Sequence, residues 1–453
     1  MKIIIAGCGK VGFVLAEQLN EEGHELTVID SNEEKVGEVG NTLDVMAIQG
    51  NATSYRVQLE AGVEDADLFI AMTGKDEVNL LCCLIARKAG HCQTIARVRD
   101  PGYYSEIGFI KEELGLSMAV NPELAAAADI ARLIQVPSAM EVDTFARGKV
   151  DLVRFRIPEG SSWAGKKLSE VNRRFEGKML ICVIEREKTH ELLIPDGNAV
   201  LNEGDSISVV MPPHELKALF AGIGISSRMI KHVMIAGGGT IAYYLAKMLL
   251  KSKIKVKIIE NNRERCEKLS ELLPEAMVIY GDASGTDLLR EEGIQNAEAF
   301  VSLTGLDEEN VMLSFYAGKV SQAKIITKIN KITYGGIIDN FEIGSVISPK
   351  NLTAERIIKY VRSMQNSIGS AVEAVYRLMD NRVEALEFSV KEGARVLNVP
   401  LTELTLKDNL LLCNIVRNGK AILPSGQDRI LAGDSVIVVT THRGLDEIDD
   451  ILA

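Results

Sequence analysis

The sequence runs to 453 residues, more than one hydrophobic core usually serves, so about three or four domains are expected. Its make-up is that of an ordinary globular protein, 46% hydrophobic and 25% charged, with 38 Gly and 11 Pro. A net charge of −12 argues against a nucleic-acid partner, which needs a basic face to displace counterions, while leaving room for a local basic pocket.

No run of about 18 apolar residues occurs, so direct membrane insertion is not expected. The most apolar helical stretch, Leu124–Ile134, is interrupted by Asp129 and Arg132. The apolar N-terminal run is too short for a signal peptide and enters a glycine-rich turn, which makes the cytosol the default address. The seven cysteines (Cys8, Cys82, Cys83, Cys92, Cys182, Cys266 and Cys413) are odd in number, form no C-x-x-C and mostly sit in apolar runs. They read as buried small hydrophobes in a reducing compartment, not as a disulfide framework or zinc site.

In chain order, short β-branched runs at 2–6, 25–30, 45–49, 67–73, 94–99 and 117–120 alternate with amphipathic helical segments. The first helix sets Val11, Val14, Leu15 and Leu19 on one face and stops at Gly23. Such alternation predicts a doubly wound parallel sheet of the Rossmann type. Beyond about residue 140 the texture changes. Strands are expected at Val150–Ile157, Lys178–Glu185 and Ser206–Met211, with turns at Asp196-Gly197 and Glu203-Gly204-Asp205, giving a small β-rich α+β domain.

The chain then repeats itself. Ile5-Ala-Gly-Cys-Gly-Lys-Val-Gly12 aligns with Ile235-Ala-Gly-Gly-Gly-Thr-Ile-Ala242 at an offset of 230, and Val28-Ile-Asp30 with Ile258-Ile-Glu260 at the same offset. Gly50-Asn-Ala-Thr53 aligns with Gly281-Asp-Ala-Ser284 at 231, as does Thr73-Gly74 with Asn79 on Thr304-Gly305 with Asn310. Near the end, Gly204-Asp205 aligns with Gly433-Asp434 at 229. So long a period is a duplicated multi-domain unit, not a solenoid repeat. The expected domains are 1–122 and 229–350 (Rossmann) and 140–225 and 368–453 (small β-rich), with connecting helices at 121–139 and 348–367.

Gly7-x-Gly9-x-x-Gly12 follows a strand, opens a helix and precedes Asp30 at the end of the second strand, the context of a dinucleotide fingerprint. The glycines admit a pyrophosphate to the helix N-terminus, and Asp30 suits ribose hydroxyls while repelling a 2′-phosphate, which favours NAD over NADP. The candidate site in the first lobe is therefore Gly7, Cys8, Gly9, Lys10, Val11 and Gly12, with Asp30, Asn51, Ala52, Thr73, Gly74, Arg97 and Arg99. In the second lobe it is Gly237, Gly238, Gly239, Thr240 and Ile241, with Glu260, Asp282, Ala283, Thr304, Gly305 and Lys328. The second lobe reads either as a variant of the same fingerprint or as a lobe kept for structure. Arg97 and Arg99, alternating along one strand, read as an anion clamp or as salt bridges to acidic neighbours; Lys328 and Asn330 stand in their place in the second copy.

Gly160-Ser-Ser-Trp-Ala-Gly-Lys166 has P-loop spacing but is followed by Lys167 where Mg²⁺ requires Ser or Thr, so it is rejected. His190 and His214 align with Gly419 and Arg443, so neither belongs to a duplicated site; no catalytic or metal residues are assigned. The segments Asn121–Val136 and Ser348–Ser363 open with Asn-Pro and Ser-Pro, helix-start signals. Their apolar residues (Leu124, Ala128, Ala131, Ile134; Leu352, Ile357, Ile358, Val361) suit bridging between lobes or packing on their own sheet.

Together with Ile95-Ala-Arg-Val-Arg-Asp100 and Ile347-Ser-Pro-Lys350, these motifs resemble over nearly the whole chain the peripheral nucleotide-binding subunits of Trk potassium-uptake systems (TrkA), which carry two regulator-of-potassium-conductance (RCK) units in tandem. The resemblance implies a non-enzymatic cytoplasmic subunit, a homo-oligomer and most readily a tetrameric ring, docked on a membrane potassium-translocating subunit. It would gate that subunit on binding NAD(H) or ATP/ADP. Departures at Ala242, Lys328 and Asn330 leave the second lobe's ligand open. The rival readings are an NAD-dependent oxidoreductase, for which no proton donor or metal set stands out, and a regulator of another cation channel or antiporter.

Overall fold

The computed structural model describes residues 1–145, 150–175, 179–212, 215–224, 229–330, 343–366, 372–379 and 382–453. His214, Lys178 and the end of the 348–367 segment lie outside the described residues.

The first lobe runs β1 (Lys2–Ala6), α1 (Lys10–Glu21), β2 (Glu25–Asp30), α2 (Glu33–Thr42), β3 (Met46–Gln49), α3 (Tyr55–Glu60), β4 (Leu68–Ala71), α4 (Asp76–Gly90), β5 (Gln93–Arg97), α5 (Pro101–Ser105), α6 (Ile107–Leu114), β6 (Met118–Val120) and α7 (Pro122–Gln135). Its strands pair in the order β3-β2-β1-β4-β5-β6, and every pairing is parallel. Winding reverses between β1 and β4, which opens a crevice at the strands' carboxyl ends. Ile3, Ile4, Ile5 and Ala6 are all buried because helices cover both faces of a parallel sheet, hence an unbroken apolar run with no alternation. On α1, Val11, Val14, Leu15 and Leu19 form the buried stripe at the 3.6-residue period.

Helix α7 starts at Pro122, where a missing N–H costs nothing, and Asn121 Oδ1 accepts the Leu124 N–H at 2.9 Å. Its buried face overlaps the expected one at Ala131 and Ile134 and extends to Ala126, Ala127, Ile130 and Leu133, whereas Leu124 and Ala128 are half-buried. Alanines surround the stripe, so apolarity alone does not orient this helix.

The first small lobe comprises β7 (Glu141–Phe145), β8 (Val150–Arg156), α8 (Leu168–Arg174), β9 (Leu180–Glu185), β10 (Leu192–Leu193), β11 (Ser206–Met211) and α9 (Leu216–Gly222), in an antiparallel sheet ordered β10-β9-β11-β8-β7. Edge strand β7 is too short and acidic to show a period. The loop with P-loop spacing is structural, its Trp163 only 1% exposed in the lobe's core and edge-on to Phe175 at 5.8 Å.

The second Rossmann lobe repeats the first: β12 (His232–Ala236), α10 (Thr240–Lys251), β13 (Lys255–Glu260), α11 (Arg263–Leu272), β14 (Met277–Tyr280), α12 (Thr286–Glu291), β15 (Ala299–Ser302), α13 (Asp307–Val320), β16 (Lys324–Lys328), β17 (Ser345–Ile347) and α14 (Pro349–Asn366). Strand order is β14-β13-β12-β15-β16-β17, again parallel. The second small lobe follows with β18 (Val372–Leu378), β19 (Val383–Ser389), β20 (Leu410–Arg417), β21 (Lys420–Ile422) and β22 (Ser435–Thr440), ordered β18-β19-β22-β20-β21.

The lobes do not group in chain order. One compact unit joins the two Rossmann lobes (1–131 and 231–358), the other the two small lobes (132–230 and 359–453). In the second unit the small sheets share a core that includes Phe145, Leu152, Cys182, Ala385, Cys413 and Val439. Phe145 and Tyr376 meet edge-on with ring centroids 4.2 Å apart, and Arg382 of the second lobe reaches Glu185 of the first at 2.6 Å. The first small lobe's own core turns on its largest buried side chain, Trp163. Trp163→Ala is expected to cost about 3–5 kcal/mol, read as a lower denaturation midpoint for the small-lobe unit with the Rossmann unit's transition unmoved.

Candidate functional site

In each Rossmann lobe the site is built by a strand that must become a helix within three residues. Gly7 and Gly237 make that reversal at φ +104° and +100°. A Cβ at Gly7 would stand 2.9 Å from the Met72 and Thr73 backbone, and one at Gly237 2.8 Å from the Leu303 carbonyl. Only glycine combines that φ with so close an approach. Gly12 faces the Gly7 carbonyl so tightly that a methyl would overlap it, whereas Gly9 and Gly239 border open space where α1 and α10 present their N-termini. Lys10 and Thr240 start these helices, and Val11 and Ile241 point into the core.

The carboxylate after each second strand ties the loop. Asp30 accepts from the Cys8 N–H at 2.7 Å and the Asn32 N–H at 2.9 Å; Glu260 accepts from Gly238 at 2.6 Å and Asn262 at 2.8 Å. Glutamate is longer by a methylene, and the chain makes room for it. A Cβ at Gly238 would sit 2.9 Å from Glu260 Oε2 and 2.7 Å from Leu269 Cδ1, while the first lobe has Cys8 beside the shorter Asp30, with Val39 at the repeat position of Leu269. Burial first, then Asp30, pushes the Cys8 thiol up to about 12, so it stays protonated.

The loops after the third strands hold the other predicted residues. Asn51 accepts from the Thr53 N–H at 3.0 Å, and Asp282 from Ser284 at 2.9 Å, a backbone bond that holds the Asp282 carboxyl below its usual range; Ala52 and Ala283 are buried beside them.

Beyond the fourth strands, Thr73-Gly74 and Thr304-Gly305 are knotted to the fifth strands by two fully buried asparagines. Asn79 accepts the Thr73 N–H at 2.7 Å and donates to the Arg97 carbonyl at 2.9 Å; Asn310 repeats this with Thr304 at 2.8 Å and Lys328 at 3.1 Å. Asp76 accepts the Arg99 and Asp100 N–H groups, each at 2.8 Å, and Asp307 that of Asn330 at 2.9 Å. None of these four was singled out as a site residue, although the asparagines stand in the repeat alignment.

Strand β5 ends at Arg97, so Arg97 and Arg99 are not two rungs of one strand. The Arg97 guanidinium donates to the Thr73 carbonyl and Arg99 to that of Gly74 at 2.6 Å; Arg99 also lies 3.9 Å from both Asp76 and Glu123. Both arginine Nε atoms and Glu123 Oε2 are buried without a hydrogen-bond partner. Burial, ahead of the opposing arginines, raises the Glu123 carboxyl above its usual range. Such unsatisfied polar atoms at a crevice mouth fit a polar, charged occupant. Lys328 donates to the Thr304 carbonyl, its ammonium lowered by burial, raised by Asp307 and lowered again by Lys10 across the lobe boundary.

That boundary runs through the site. The Tyr244 hydroxyl, on α10 of the second lobe, accepts from Asn121 at 3.1 Å and lies 3.5 Å from the Arg99 carbonyl of the first. Tyr244 replaces Val14 of the first copy, so the repeat gives no sign of it. The second lobe also has an open cleft of about 470 Å³ lined by Gly238, Gly239, Glu260, Asn262, Arg265 and Lys268. Arg265 donates to the Gly238 carbonyl at 2.7 Å. A separate cleft of about 400 Å³ between Arg87, Gln93, Lys111 and Ser117 lies at the amino ends of β5 and β6, away from the crevice, and is not the site. The packing of Gly238, Glu260 and Leu269 predicts coupling. Gly238→Cys should destabilise the chain by about 1–3 kcal/mol, and adding Glu260→Asp and Leu269→Val should restore stability beyond the sum of the separate effects in thermal denaturation.

Comparison with known proteins agrees with this doubled architecture. The TrkA-N domain matches residues 3–122 and 233–349, and the TrkA-C domain residues 152–224 and 385–453. The Trk system potassium uptake protein TrkA homolog of Archaeoglobus fulgidus is 32% identical over 451 residues, 100% of both chains. The Trk system potassium uptake protein TrkA of Halomonas elongata is 32% identical over 443 residues, 97% of this chain and 95% of that one. Among solved structures, the GsuK channel bound to NAD has a TM-score of 0.63 at 18% identity, covering 97% of this chain and 76% of that chain. The GsuK RCK domain has the same score and identity over 97% and 92%, a likeness of fold. With both domains matched twice in alternating order and a relative aligned end to end, the chain belongs to the TrkA family of Trk potassium-uptake proteins.

Proposed function

We propose that this chain is the cytosolic nucleotide-sensing regulatory subunit of a Trk-type potassium-uptake system, acting by ligand-controlled conformation rather than by catalysis. One observation carries the reading. Two Rossmann crevices share a compact unit, and a hydrogen bond crosses the boundary between them, from the Asn121 amide of the first lobe to the Tyr244 hydroxyl on α10 of the second.

The glycine cradle and the unsatisfied arginine atoms fit an adenine nucleotide, NAD(H) or ATP/ADP. Gly7 to Gly12 and Gly237 to Ile241 would take its phosphates on helix N-termini. Asp30 and Glu260 would take the ribose, with Asn51, Ala52, Asp282 and Ala283 alongside. Thr73, Gly74, Arg97 and Arg99, or Thr304, Gly305 and Lys328, would hold the distal end. The bound nucleotide supplies phosphate charge at the boundary between lobes. A ligand that favours one lobe–lobe arrangement shifts its population by its differential affinity, commonly about 1–3 kcal/mol. Several sites in a homo-oligomer, a tetramer in this proposal, accumulate that bias toward a full switch of about 5.5 kcal/mol. The names of the relatives support a membrane potassium-translocating subunit as the element switched.

Calorimetry with NAD⁺, NADH, ATP and ADP tests the sites. Asp30→Ala should weaken first-lobe binding roughly ten- to a hundred-fold, since hydrogen bonds to a charged group are worth about 1.5–3 kcal/mol. Unchanged affinity in a folded variant, with second-lobe binding accounted for, rejects the assignment. Lys10 and Arg99 have no cationic counterpart in Thr240 and Asn330, so the Asp30→Ala and Glu260→Ala variants should differ in residual affinity. Light scattering should give an oligomer, and a stable monomer discards the ring.

A further inference from the structure

The shared core of the small-lobe unit contains a feature unrelated to nucleotides. In the first small sheet the β9–β11 ladder passes from Val183 opposite Ser208 to Ile181 opposite Val209, leaving Cys182 as the extra residue of a bulge. In the second, the β20–β22 ladder passes from Leu412 opposite Val438 to Asn414 opposite Ile437, leaving Cys413 as the extra residue. Cys182 and Cys413 are repeat mates, 231 residues apart. A bulge bends its strand and re-aims one side chain. Here two equivalent bulges aim two thiols at each other, and their Sγ atoms lie 3.2 Å apart.

Each thiol also donates within its own strand, Cys182 to the Leu180 carbonyl at 3.6 Å and Cys413 to that of Leu411 at 3.5 Å. Both residues are 0% exposed, among Phe145, Leu152, Val183 and Val439. The cluster in the first Rossmann lobe is different, for there Cys83 donates to the Ile95 carbonyl at 3.4 Å and Cys92 to that of Ala86 at 3.7 Å.

We propose that Cys182 and Cys413 form a modification site at which a small-molecule disulfide oxidises the pair to an intramolecular disulfide joining the two small lobes. One thiol, as thiolate, attacks a sulfur of the oxidant and releases one reduced thiol. The second then attacks the resulting mixed disulfide, forming the Cys182–Cys413 bond and releasing the other. Two protein thiols lose two hydrogens and one oxidant disulfide becomes two thiols, so electrons and protons balance. Burial drives the Cys413 thiol well above its ordinary value, and the oxidant cannot reach either sulfur while the sheets are apposed. The first attack therefore waits for transient separation of the small lobes, and the finished bond fixes them in apposition.

The test uses the full chain, equilibrated in oxidised or reduced glutathione with sub-denaturing urea that lets the small lobes open. Samples are then denatured, alkylated without reduction, digested and weighed. The proposal expects a cross-linked peptide pair holding Cys182 and Cys413 in the oxidised sample alone, abolished by dithiothreitol. It also expects a higher unfolding midpoint for the oxidised wild type, a gain absent from Cys182→Ala and Cys413→Ala. Recovery of both cysteines singly alkylated from the oxidised protein overturns the proposal, as do disulfides confined to Cys8, Cys82, Cys83, Cys92 or Cys266.

Discussion

Gly7 and Gly237 occupy left-handed backbone directly against the ends of neighbouring strands, at φ +104° and +100°. This approach lets the first strand of each lobe end beside the fourth and turn at once into a helix. The helix N-terminus then faces the opening where strand order reverses. The acceptors Asp30 and Glu260 hold the same loop from the second strand, and the buried amides of Asn79 and Asn310 lock the opposite wall. Any side chain at the two glycines would force the strand ends apart.

Duplication preserved this frame while its lining diverged. The first lobe combines Cys8, Asp30 and Val39 where the second has Gly238, Glu260 and Leu269, a smaller residue at one position set against larger ones at the other two. Charge diverged further. Lys10 at the glycine cradle and Arg99 at the distal end of the first crevice give way to Thr240 and Asn330 in the second, and Lys268 beside the second cradle stands where the first copy has Glu38.

The pairing of like with like, Rossmann lobe with Rossmann lobe and small sheet with small sheet, follows from surface chemistry. A five-stranded antiparallel sheet of about 80 residues covers one face with its own helices and leaves the other apolar. Its duplicate offers a matching face, and the two close over Phe145, Cys182, Cys413 and Val439.

Much of this was legible in the amino-acid order. Fold class, duplication, the glycine turns with Asp30 and Glu260, and the strand positions all rest on interactions near in sequence: hydrophobic period, backbone freedom, and a fingerprint spanning one βαβ unit. What lay out of reach depends on pairs far apart along the chain. Tyr244 reaches Asn121, 123 residues away, and Cys182 meets Cys413 only when two bulges face one another. Only half of the expected α7 face, Ala131 and Ile134, is buried for a related reason, since a ring of alanines carries no directional signal until a neighbour covers one side. Local pattern determined what each lobe is, and tertiary packing alone decided which lobe each one meets, because the apolar faces and mouth charges that choose a partner are not periodic in sequence.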